Sequence, residues 1–237
     1  MNTASVTKVI IIGASSGIGK ELTLQLVQGN YVVGITGRRV GLLKELKYKY
    51  PDKIFYSQMD NRDIDSVDAH LENLKKQLGG LDLLILCSGV GNLNKTLDFV
   101  IEQQTLELNV MAFTKISNWT VKCFEKQSAG HFVAITSLAG MISSDVAPAY
   151  NASKAFQINY LKGLRGKLKK SNSLINVTDV RPGFVDTAMA KGEGLFWVAP
   201  VNKAAYQIIA AINKKKPLVY ITKRWAIIAY IFRLINK

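Results

Sequence analysis

Val6-Thr7-Lys8-Val9-Ile10-Ile11-Ile12-Gly13-Ala14-Ser15-Ser16-Gly17-Ile18-Gly19 is the stretch from which the fold can be read. The run Val6 to Ile12 is apolar and rich in β-branched residues, the composition of a buried strand. Lys20 to Gln28, beyond the glycines, has the apolar spacing of an amphipathic helix. Strand, glycine turn and helix, in that order, begin a βαβ unit. Gly13 can turn the chain sharply, and Gly17 and Gly19 let backbone approach a ligand. The helix start offers unpaired N–H groups and the positive end of its dipole, which suits an anionic diphosphate. Gly13, Ser15, Ser16, Gly17, Ile18 and Gly19 are therefore the expected contacts of a dinucleotide. The spacing is GxxxGxG rather than the commoner GxGxxG. A glycine turn without a ligand is the plainer alternative.

Further strands read outward from this unit. Tyr31 to Thr36, Lys53 to Gln58, Leu83 to Leu86 and His131 to Thr136 are short apolar runs separated by helical patterns. That alternation implies a parallel sheet covered by helices. A chain of 237 residues is within reach of one such α/β domain, and no repeat or polar linker divides it. Gly37-Arg38-Arg39 follows the second strand, where the adenosine ribose lies in a βαβ nucleotide site. An acid there would bind the ribose 2′-hydroxyl. This chain has two guanidinium groups instead, which suit a 2′-phosphate. Arg38 and, in second place, Arg39 thus argue for NADP(H) over NAD(H).

The second informative stretch is Tyr150-Asn151-Ala152-Ser153-Lys154. Tyr and Lys four residues apart share one helix face. A free phenol titrates near a pKa of about 10, and a neighbouring ammonium is expected to lower it. Tyr150 then becomes a usable acid or base. The same pair also occurs on ordinary solvated helices, so its meaning depends on the other motifs. Ser137 stands 13 residues before Tyr150 at the end of a strand, and Asn109 lies in Leu108-Asn109-Val110. Alone, either could be a cap or turn residue.

Taken together and in order, these motifs resemble the short-chain dehydrogenase/reductase family from Gly13 to about Thr187. The resemblance implies a Rossmann-type, doubly wound, three-layer αβα fold with a mostly parallel seven-stranded sheet. It implies a catalytic tetrad of Asn109, Ser137, Tyr150 and Lys154, with Asn109 holding a water that links Lys154 to solvent. Lys154 would also contact the nicotinamide ribose. Asp60 and its neighbour Asn61 would lie at the adenine, Gly89 beside the cofactor, and Pro182-Gly183-Phe184-Val185-Asp186-Thr187 at the nicotinamide carboxamide. Of that last segment Pro182, Gly183, Val185 and Thr187 are expected cofactor contacts. The sequence departs from the family at one place: Cys87-Ser88-Gly89 stands where Asn-Asn-Ala-Gly is usual. That leaves open how the end of the fourth strand is tied down.

The expected activity is the NADP(H)-dependent interconversion of a carbonyl and a secondary alcohol. A non-catalytic NADP(H)-binding regulator or scaffold and an NAD-linked alcohol dehydrogenase are the alternatives. Met189, Leu195, Phe196 and Trp197, in the segment Ala188 to Pro200, suggest a partly apolar substrate pocket. Two scattered histidines, His70 and His131, and two cysteines, Cys87 and Cys123, suggest neither a metal site nor a disulfide framework. With no signal segment read at the N-terminus, a cytoplasmic protein is expected. The charge is uneven: residues 1–153 carry 15 basic and 14 acidic side chains, and residues 154–237 carry 16 and 3. The basic, apolar segment 223–237 is too short to span a bilayer and suits either packing on the protein or peripheral contact with an anionic membrane. No nucleic-acid motif accompanies the charge. By resemblance, a homodimer or homotetramer is expected.

Overall fold

The computed structural model describes residues 6–171, 173–190 and 195–235. The expected domain 1–237 extends beyond those residues at both ends, and Asn236 and Lys237 of the expected tail lie outside them. The chain runs β1 (Thr7–Ile12), α1 (Gly17–Leu26), β2 (Tyr31–Gly37), α2 (Val40–Lys49), β3 (Ile54–Gln58), α3 (Val67–Leu78) and β4 (Leu83–Leu86). It continues through α4 (Phe99–Leu106), α5 (Phe113–Gln127), β5 (Ala129–Ile135), α6 (Pro148–Lys170), β6 (Leu174–Pro182), α7 (Val201–Asn213), β7 (Leu218–Ile221) and α8 (Trp225–Ile235).

The strands form one seven-stranded sheet in the order β3-β2-β1-β4-β5-β6-β7, with every pairing parallel. Parallel neighbours need crossovers, and the helices that supply them cover both faces. Strand β1 shows why. Val9 and Ile11 point into one core, while Ile10 and Ile12 point into the other, and all four are fully buried. Leu22 and Leu26 of α1, Leu43 of α2 and Ile208 of α7 close the first core. Leu71 and Leu74 of α3, Phe124 of α5 and Leu161 of α6 close the second.

The chain moves one way from β1 to β3 and the other way from β4 to β7, so the order reverses between β1 and β4. In open α/β sheets ligands bind at such a switch point, outside the carboxyl ends of the strands. Two local features set the surroundings of this point. Between α4 and α5 the helix passes through a π-helical turn, Glu107–Ala112, which carries Asn109. Such a turn often marks a functional site, because it loosens the regular backbone ladder. Helix α6 starts with Pro148 in its first turn, where no N–H donor is needed, and runs for 23 residues.

The C-terminal segment packs on protein with one face only. Trp225 and Ala229 of α8 are buried with Leu138, beside Met141, Phe184, Tyr220 and Ile228. Ile227, Tyr230, Ile231 and Leu234 stand exposed on its other side. Among the described residues no helix is long and apolar enough to cross a membrane.

Candidate active site

The site is built at the ends of four adjacent strands, where β1, β4, β5 and β6 give way to Gly13, Gly89, Ser137 and Gly183. Gly13 has φ +85°, and a side chain there would press on the Ser88 backbone 2.8 Å away. A Cβ at Gly19 would run into the Gly13 carbonyl oxygen. Both glycines thus let the turn fold onto itself at the end of β1. Gly17 opens α1, and Thr187 lies across from it. Ser16, at the N-cap, makes no side-chain cap. Its hydroxyl and that of Ser15 accept from Arg39 Nη2 at 2.7 and 2.9 Å. A guanidinium, two hydroxyls and a helix start therefore converge on one surface that fits a phosphate. Arg39, ranked second by sequence, makes this contact. Arg38 is exposed, and its main-chain carbonyl accepts from Gln58.

Tyr150 and Lys154 do share one face of α6, with the ammonium 6.0 Å from the ring centroid. The direction of the tyrosine shift departs from the sequence expectation. Burial pushes the phenol above its ordinary pKa, and a hydrogen bond with Ser137 opposes that rise. Lys154 is itself deeply buried, and burial lowers its pKa to about 8 against the pull of Asp179. The ammonium is held by two other acceptors. It donates to the Ile135 carbonyl at 3.3 Å and to Gln157 Oε1 at 3.0 Å. Ser137 also accepts from the Ala139 amide, so it caps the short 3-10 turn Leu138–Met141 while facing Tyr150.

Asn109 is fully buried, and its side chain is wholly engaged. Its Oδ1 accepts from the Val90 amide, and its Nδ2 donates to the Val90 carbonyl and to Ser153 Oγ. It clamps the loop after β4 to α6. Its main-chain carbonyl accepts from Gln157 Nε2 at 2.8 Å. Gln157 was missed by sequence reasoning. An amide one turn beyond Lys154 carries no signal of its own in the sequence. Gly91 was missed too; the Tyr150 ring lies against it.

Asp60 stands at the expected place after β3, but Arg62 binds its carboxylate at 2.7 Å and holds its pKa below the usual range. Pro182 ends β6. Val185 pairs with Ala199, and the indole of Trp225 lies on Gly183. Phe184, Phe196, Trp197 and Trp225 form one aromatic cluster next to that segment, with centroids 5.1–5.8 Å apart. Met189 is exposed. Among the described residues, no cluster of three or more His, Cys, Asp or Glu side chains could hold a metal ion.

The profile of the family described as short chain dehydrogenase matches residues 7–195. The chain belongs to the short-chain dehydrogenase family. It is 29% identical over 215 residues to a hydroxysteroid 11-beta-dehydrogenase 1-like protein of Danio rerio, covering 86% of this chain and 74% of the relative. It is 30% identical over 185 residues to an uncharacterized oxidoreductase of Myxococcus xanthus, covering 76% and 72%. A short-chain dehydrogenase/reductase of Burkholderia phymatum, solved in complex with NAD, superposes with a TM-score of 0.87. That match is 17% identical and covers 97% of this chain and 94% of the other.

The fold and family read from the sequence thus hold: this is an oxidoreductase of the short-chain dehydrogenase family, whose members bind NAD(H) or NADP(H). The departure from the family at Cys87-Ser88-Gly89 also finds its physical account. Cys87 N donates to the Ile12 carbonyl at 2.8 Å, and Ser88 Oγ accepts from Asn61 Nδ2 at 2.7 Å. Asn61, an expected cofactor contact, supplies the amide that ties down this strand end.

Proposed function

We propose that the chain interconverts a carbonyl and a secondary alcohol with NADP(H), Tyr150 acting as general acid in reduction and as general base in oxidation. The observation that carries this reading is the buried Tyr150 phenol set beside Ser137 at the carboxyl edge of the sheet, with buried Lys154 on the same helix face. A phenol pushed up by burial keeps its proton at neutral pH, so Tyr150 meets a carbonyl oxygen in its acid form. Ser137 orients that oxygen through its hydroxyl. When bound, the nicotinamide supplies or takes up the hydride.

Arg39 with Ser15 and Ser16, together with Arg38, supports NADP(H) over NAD(H), since a planar guanidinium beside hydroxyls suits a phosphate monoester. The Phe184, Phe196, Trp197 and Trp225 cluster supports an apolar substrate. Exposed Phe99, Val100, Leu106, Met111 and Phe156, on α4, the π-helical turn and α6, support a homo-oligomer. The exposed apolar stripe of α8, next to Lys223 and Arg224, supports peripheral contact with an anionic membrane.

The direct test is a panel of apolar aldehydes and ketones with NADPH and with NADH, followed by the absorbance of the reduced nicotinamide. Carbonyl-dependent oxidation of NADPH at lower KM than NADH is expected. A protein that binds NADPH and turns over nothing in the panel, in either direction, would be the regulator or scaffold instead.

A further inference from the structure

Gln157 is 1% exposed and lies one helical turn beyond Lys154 on α6. Burying a primary amide is costly unless both ends are satisfied. Here Oε1 accepts from the Lys154 ammonium at 3.0 Å, and Nε2 donates to the Asn109 carbonyl at 2.8 Å. An ammonium can only donate and a carbonyl can only accept, so these two partners fix which end of the amide points where. The bridge joins two elements: α6, which carries Tyr150, and the π-helical turn that carries Asn109.

The other groups around Lys154 do not replace this contact. Asp179 on β6 is an opposing charge that acts on Lys154, but Arg181 binds its carboxylate at 2.7 and 2.8 Å, and Thr136 donates to its other oxygen at 2.6 Å. Cys87, after β4, is a neutral thiol, because burial pushes its pKa up to about 12. Tyr150, on the same helix, holds its proton with Ser137. Ile135 on β5 offers a carbonyl at the longer distance of 3.3 Å.

We infer that Gln157 is a positioning residue of the active site, fixing the Lys154 ammonium against the Asn109 carbonyl with a side-chain amide. This inference rests on the reading of Tyr150 and Lys154 as the groups that handle the proton. Its consequence is specific. An amide holds a charge in place but passes no proton along, so no proton moves between Lys154 and Asn109 through this side chain. Gln157 also favours the charged form of Lys154, because its carbonyl oxygen faces the ammonium.

Two substitutions test this. Gln157→Met keeps the length and removes both bonds; Gln157→Glu keeps an acceptor and adds a negative charge. In carbonyl reduction, kcat falls at high pH along a limb to which Lys154 contributes. That limb is expected to move down in Gln157→Met and up in Gln157→Glu, by roughly one pH unit each. KM for NADPH is expected to change by less than about threefold, since neither variant alters Arg39, Ser15 or Ser16. Unchanged limbs in both variants, with only a loss of thermal stability, would overturn the inference.

If the wild type reduces no carbonyl at any pH, the reading of the pair fails separately, and the inference is read from melting instead. Removing the acceptor lowers the folded-state pKa of Lys154, so that cost is fully present below the folded pKa and disappears above it. The excess drop in Tm for Gln157→Met is then expected at pH 6 and smaller above about pH 9. A drop independent of pH would again overturn it.

Discussion

Tyr150, Ser137, Lys154 and Gln157 show how residue type and surroundings divide the work. The sequence places Tyr150 and Lys154 on one face, which the structure bears out, but spacing cannot show burial or hydrogen-bond partners. Burial raises the phenol, and the ammonium donates to Gln157. That partner was illegible because a lone Gln on a helix has no signature until a second element is packed against it. The arginines teach the same lesson. Two adjacent guanidinium groups could be read as phosphate ligands, yet only the loop geometry shows Arg39 reaching Ser15 and Ser16. Arg39→Asp is expected to raise KM for NADPH at least about tenfold, the loss of one charge-assisted contact, with a smaller change for NADH. Arg38→Asp is expected to act in the same direction. Equal changes for the two cofactors, measured by initial rates, would contradict the 2′-phosphate assignment.

At the scale of elements, β1 and the glycine turn were legible because both faces of a parallel strand are buried and its end must bend at once. The boundaries of β1 through β5 fall within two residues of the expected ones. The π-helical turn at Asn109 was not legible, since its register depends on the loop and helix it clamps. Nor was the joint between β5 and β6. His131 lies buried in β5 against Thr178, with Nε2 and Oγ1 2.8 Å apart. Thr178 donates its own proton to the Lys216 carbonyl, so His131 Nε2 carries the hydrogen. Burial pushes the pKa of His131 down to about 4. Because the folded pKa is depressed, the stability this neutral ring contributes is present above the unfolded value of about 6.5 and is lost as pH falls through about 4. The amount at stake is about 3 kcal/mol, from 1.36 kcal/mol per pKa unit. His131→Gln is expected to flatten the decline of Tm between pH 6.5 and pH 4. A decline as steep as in the wild type, by calorimetry, would assign the acid sensitivity to other groups.

For the molecule as a whole, the chain order of motifs became a spatial order because every strand runs the same way. All the loops that follow strands open at one edge, so residues as distant in sequence as Gly13, Ser137 and Thr187 meet there. That much followed from the alternation of strands and helices. The role of the C-terminal segment did not, because an apolar helix reads the same whether it is covered by protein or by lipid. Its structure is divided: one face is buried under Trp225 and Ala229, the other exposed. Flotation with anionic vesicles is expected to carry the full chain upward, and substitution of Ile227, Tyr230 and Leu234 by Ser to abolish it. Retention at the bottom by the full chain would leave the exposed stripe to a second copy, detected as a larger oligomer by light scattering.

The central claim concerns one proton. Replacing Tyr150 by Phe keeps the ring against Gly91 and removes only the hydroxyl. With any carbonyl that the wild type reduces, kcat of Tyr150→Phe is expected to fall by about 10²–10⁴, the usual contribution of a general acid, with NADPH affinity little changed. Turnover at the wild-type rate would contradict the account.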